Sequence, residues 1–66
     1  MKKFVEKMIV ERDDLIGKIK RGKAAVANPP FGMDKEGLMM LGEQVKAMEQ
    51  YLYWLKERLK SVGVKE

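Results

Sequence analysis

The sequence predicts an all-α fold: an antiparallel two-helix hairpin that assembles into a homo-oligomeric helical bundle. Three observations lead there. The second half carries an unbroken apolar heptad seam, the first half carries a looser one, and a Pro-Pro loop separates them. At 66 residues the chain makes one domain, spanning 1–66. Chains of this size bury only about 60% of their unfolded surface, so a lone core is marginal. Small domains compensate with disulfides, a metal or self-association. Cysteine and histidine are both absent, which leaves association as the expected route.

The second helix, expected at about 34–62, has the clearer signals. Asp34 is placed as its N-cap, with Glu36 in the first turn where the helix dipole favours a negative charge. Met33 and Leu38 stand at the positions of a hydrophobic staple. Leu38, Leu41, Val45, Met48, Leu52, Leu55, Leu59 and Val62 then recur at alternating steps of three and four, which is the a/d spacing of a coiled-coil seam. Gly63 supplies a left-handed stop, preceded by Arg58 and Lys60 near the last turn.

The first helix is expected at about 3–26. Val5, Met8, Leu15, Ile19 and Val26 follow heptad spacing, and Arg12 interrupts them where an apolar residue belongs. Gly17 and Gly22 weaken this helix by about 1 kcal/mol each against alanine, and Gly22 is a point where it either ends or continues. Asn28 is a candidate left-handed terminator, and Pro29-Pro30 cannot extend a helix. The connector, about 27–33, is short, as between antiparallel neighbours.

Charge is localised. The net +4 equals the four cations Lys18, Lys20, Arg21 and Lys23, which lie in a stretch without any acidic residue. A block of this kind points to a local anion site rather than a uniformly basic coat for nucleic acid. No apolar run approaches the roughly 18 residues that span a bilayer. The first residues lack an apolar signal-peptide core, so a cytoplasmic protein without a membrane partner is expected.

Familiar catalytic groups are missing. There is no histidine, cysteine or glycine-rich phosphate loop, and Ser61 is the only hydroxyl besides the tyrosines. The adjacent carboxylates Asp13 and Asp14 diverge by about 100° on a helix and do not face one another. A non-enzyme with no cofactor is therefore expected.

Four features are candidates for binding, and each has a structural alternative. Lys18, Arg21 and Lys23 either complement a helix C-terminus or hold phosphate beside Gly22. Gln44, Tyr51 and Arg58, seven apart with Trp54 nearby, either seal an interface or wall a ligand site. In the ligand reading the aromatics stack on a base, the guanidinium pairs with phosphate and the amide reads a base edge. Arg12 either forms an ion pair with Glu43, Glu49 or Glu57 or meets a ligand phosphate. Phe31, in Asn-Pro-Pro-Phe-Gly, either caps the core or belongs to a lid or partner-contact loop.

Two strings carry a family resemblance: Glu11-Arg12-x-x-Leu15-x-x-Lys18-Ile19, and Gln44-x-x-x-Met48-x-x-Tyr51-x-x-x-Leu55-x-x-Arg58-Leu59. With the Phe31 loop between them, the chain resembles the small helical-hairpin proteins of bacteriophages. In particular it resembles the hairpin domain of anti-CBASS and anti-Thoeris sponges, over most of residues 6–60. The resemblance implies a homo-oligomer, often a hexamer, that sequesters a cyclic nucleotide immune signal in the host cytoplasm. It implies ligand contacts from Arg12, the basic block, Phe31, Tyr51 and Arg58 at subunit interfaces. Two other classes stay open. Exposed methionines such as Met39 and Met40 would suit an inhibitor or adaptor that grips a host defence protein. Weak single-stranded nucleic-acid binding would show steep salt dependence.

Overall fold

A computed structural model describes residues 2–64. Met1, Lys65 and Glu66, included in the expected 1–66 domain, lie outside the described residues. Two long helices, α1 (Lys3–Ala27) and α2 (Lys35–Ser61), pack along their length. The hairpin measures 45 × 16 × 16 Å. No helix is long and apolar enough to cross a membrane among the described residues.

The ends of α2 follow from their residues. The Asp34 carboxylate accepts the Gly37 N–H at 2.7 Å, satisfying one of the four donors that a helix start leaves unpaired. At the other end Val64 N–H donates to Leu59 C=O at 2.9 Å and Gly63 N–H to Lys60 C=O at 3.0 Å. Gly63 has φ +91°. This is a Schellman stop, in which the left-handed residue lets the chain turn back onto orphan carbonyls. Val64 also packs on the cluster containing Leu59, the apolar contact that accompanies the motif.

The connector corrects one expectation. Asn28 is not left-handed: its φ is −139° and its N–H still bonds to Ala24 C=O at 2.9 Å. The proline that follows pushes it toward extended backbone, and the Pro29-Pro30 pair itself ends the helix. The left-handed residue is Gly32, at φ +90°, inside a turn closed by Met33 N–H to Pro30 C=O at 3.1 Å. That turn holds Phe31 out at the tip, fully exposed, rather than over the core.

The core falls into two clusters along the seam. Val5, Met8, Leu55 and Leu59 are buried near the chain ends, with Ile9 and Val64 against them. Leu15, Ile19 and Val45 form the second, supported by Met48 and Leu52. Arg12 lies between Met8 and Leu15 and divides the two. Its side chain is only 17% exposed, and its Nε donates to Asp13 Oδ1 at 3.1 Å. Toward the loop the seam loosens: Leu38 and Leu41 are half-buried and Val26 is exposed.

Gly22 does not break α1; it packs closely against Val45 of α2. A Cβ built there would lie 2.6 Å from Val45 Cγ2. Valine is stiff at χ1 in a helix and yields poorly, so Gly22→Ala brings overpacking of about 1–3 kcal/mol. That outweighs the roughly 1 kcal/mol gained in helix propensity. At Gly42 an added Cβ meets nothing within 4 Å, and the propensity gain stands alone. Thermal melting followed by circular dichroism is expected to show Gly22→Ala below the parent and Gly42→Ala above it. Equal shifts for the two would refute the close approach.

Candidate functional site

The hairpin brings two lines of residues together along one side. On α1 the line is Lys7, Glu11, Asp14 and Lys18, at steps of four, three and four. On α2 it is Gln44, Tyr51 and Arg58, at steps of seven. Both spacings return to the same helix face, and the two lines meet at Tyr51, whose hydroxyl reaches Glu11. Where they meet, Lys7, Val10, Glu11, Asp14, Leu15, Lys18 and Tyr51 line a shallow groove of about 380 Å³. That is near the lower end of small-ligand sites.

One contact fixes the wall of this groove. The Tyr51 hydroxyl donates to Glu11 Oε1 across the helices. Tyr51 as a whole is 50% exposed, so its hydroxyl is held while much of the side chain stays accessible to solvent. Lys7 and Lys18 supply two positive charges, and Glu11 and Asp14 supply two negative ones. Within one chain the groove is therefore balanced rather than cationic. Val10 and Leu15 are its apolar lining residues.

The other expected contacts are dispersed. Helical residues advance by about 100° each, so the basic block cannot converge within one chain. Lys18 enters the groove. Lys23 leaves on the opposite side, its Nζ 2.9 Å from Glu49 Oε2. Arg21 lies back over Gly17, with Nη1 3.3 Å from the place a Cβ would occupy. Arg12 sits on the seam beside Asp13. Phe31 is at the far tip.

Gln44 and Arg58 are exposed, on either side of Tyr51 along its line. Trp54 stands edge-on to Tyr53, with ring centroids 4.9 Å apart at 84°. The pair borders a second open groove of about 420 Å³ with Lys46, Glu49 and Gln50. A third hollow, about 310 Å³ and mainly apolar, lies near the loop between Val26, Ala27, Gly42 and Val45, with Lys23, Lys46 and Glu49 at its rim.

Sequence reasoning passed over Lys7, Val10 and Asp14 as groove residues. The available signal was the four-three-four spacing of Lys7, Glu11, Asp14 and Lys18, a charged heptad line flanking the apolar one. Its meaning depends on which α2 residues come alongside, and the hairpin register decides that.

A family model described as Sequestin matches residues 2–61, nearly the whole chain. No curated protein and no solved structure matches the sequence.

Proposed function

Because this chain belongs to the Sequestin family, we propose that it is a non-enzymatic phage protein that binds and sequesters a phosphorylated small molecule. The ligand class proposed is a cyclic nucleotide immune signal, held in pockets between subunits of a homo-oligomer in the host cytoplasm. The observation that carries the reading is the family match itself, whose name denotes sequestration.

The groove supports it chemically. The half-exposed Tyr51 is an aromatic suited to stack on a nucleobase. Lys18, and Arg58 farther along the Tyr51 line, are suited to phosphate oxygens. Gln44, one heptad before Tyr51, is suited to a base edge. The remaining proposed contacts, Arg12, Arg21, Lys23, Phe31 and Trp54, are too far apart around the hairpin to serve one ligand in one chain. They require neighbouring copies. With two positive and two negative side chains, the single-chain groove also needs cations from a second copy to favour an anion.

Isothermal titration with cyclic dinucleotides, cyclic trinucleotides and cyclic ADP-ribose variants tests this reading. Saturable heat with at least one of them is expected, and no heat with any overturns it. The competing reading, a protein-binding inhibitor of a host defence enzyme, draws on Met39 and Met40, which are 64% and 57% exposed. It predicts a stoichiometric host protein in a pull-down and no nucleotide binding.

A further inference from the structure

The Tyr51 groove holds more negative charge than a phosphate site needs. Of its four charged side chains, Glu11 and Asp14 are carboxylates, and an ionised carboxylate only accepts hydrogen bonds. Glu11 has a partner in the Tyr51 hydroxyl. Asp14 is exposed and forms no hydrogen bond or ion pair among the described residues. Lys18 follows it by one helical turn, yet the two are not paired. A lone carboxylate repels a phosphate bound beside it, unless the same ligand brings donors to that carboxylate.

The order of groups along α1 identifies those donors. At about 1.5 Å rise per residue, Asp14 lies about 4.5 Å beyond Glu11 along the axis, and Lys18 about 6 Å beyond Asp14. Tyr51 is tied to the Glu11 end. The groove therefore presents an aromatic ring, a free carboxylate and a cation in that sequence. A nucleotide presents base, ribose and phosphate in the same sequence, and the ribose hydroxyls are the donors in the middle. In the other direction from Glu11, Lys7 comes next with only apolar Val10 between them in the lining. No acceptor stands there for a ribose.

On the reading of this groove as a nucleotide site, we propose that Asp14 is its ribose-reading residue. Its carboxylate accepts the 2′-hydroxyl of a ribonucleotide whose base stacks on Tyr51 and whose phosphate meets Lys18. Carboxylates hold the same hydroxyl in dinucleotide-binding folds, and that hydroxyl is what separates ribonucleotides from deoxyribonucleotides. Stacking and phosphate pairing are the same for both sugars, so neither Tyr51 nor Lys18 supplies this selection. With a deoxyribonucleotide Asp14 loses its donor and keeps its repulsion. It therefore favours one sugar and rejects the other.

Calorimetric titration of the full chain tests the assignment. The probes are cyclic di-AMP, cyclic tri-AMP and cyclic ADP-ribose, each beside its 2′-deoxy analogue. The parent is expected to bind a ribo form about tenfold or more tighter than its deoxy analogue, as a hydrogen bond to a charged group allows. Asp14→Ala is expected to bind the two sugars within about twofold of one another. It is also expected to take the deoxy form more tightly than the parent does, because the unpaired carboxylate is gone. A side chain that only supported the fold would weaken both sugars alike. Asp14 is exposed, and retained ellipticity excludes misfolding. Glu6→Ala removes a carboxylate of α1 outside the groove and is expected to keep the parent's preference.

Equal binding of ribo and deoxy forms by the parent, or a preference that survives in Asp14→Ala, overturns the assignment and leaves the functional reading standing. No heat with any of these ligands overturns the functional reading, and the assignment falls with it.

Discussion

Leu59→Ala is expected to unfold the hairpin or lower its melting temperature by more than about 10 °C. Leu59 is 0% exposed and its neighbour Leu55 is 1% exposed. Together with Val5 and Met8 they form the cluster that closes the open end of the hairpin. The Leu59 carbonyl also accepts the Val64 N–H in the helix stop, so the side chain and the cap hold the same turn. Truncating a buried leucine costs about 2–5 kcal/mol, because the cavity only partly collapses. Stability scales at about 0.05–0.15 kcal/mol per residue, which gives roughly 3–10 kcal/mol for a chain of this length. The substitution therefore removes a large share of the total. Circular dichroism melting measures it, with Met39→Ala as the contrast. Met39 is 64% exposed, and its truncation should change stability by less than about 0.5 kcal/mol. Comparable losses for the two variants would mean that the core is not where the packing places it.

The second large effect concerns binding. Lys18→Glu is expected to weaken a phosphorylated ligand by about 100-fold or more while the hairpin stays folded. Lys18 is exposed and borders the groove with Lys7, Glu11 and Asp14. Its reversal turns a balanced set of two cations and two anions into one cation and three anions. A charge-assisted hydrogen bond contributes about 1.5–3 kcal/mol, and a repulsive carboxylate adds to the loss. Calorimetric titration reads the change. Lys35→Glu, which also reverses one lysine but lies at the start of α2 outside the groove, is the control expected to bind as the parent does. Equal losses for both would reduce the effect to net charge and remove the groove from the account.

Much of this hairpin was legible from residue type and spacing, because helix ends and seams are local. Asp34 has a carboxylate one step before an apolar period, and Gly63 stands where that period stops. Both act as their chemistry requires. The unresolved features depended on the partner helix. At Gly22 the sequence shows only a weak helix former; that it is a close-approach point becomes visible only when Val45 lies against it. Asn28 was misjudged because the restriction imposed by the following proline outweighed asparagine's own tolerance of left-handed backbone.

The site was legible in pieces. Tyr51 and Lys18 were each singled out, but not their shared groove, since the Glu11–Tyr51 contact spans forty residues of sequence. The basic block looked coherent in one dimension and disperses in three. A local run of charge on a helix encircles the axis, and only copies of the chain can gather it again.

The most direct measurement of the central claim is the titration with cyclic nucleotides, carried through to recovery of the ligand. After saturation the complex is separated by ultrafiltration, the protein is heat-denatured, and the released molecule is weighed by mass spectrometry. The account predicts that the nucleotide disappears from the filtrate at a fixed ratio to the chain and returns chemically intact. A nucleotide that stays in the filtrate, or returns hydrolysed, would contradict it.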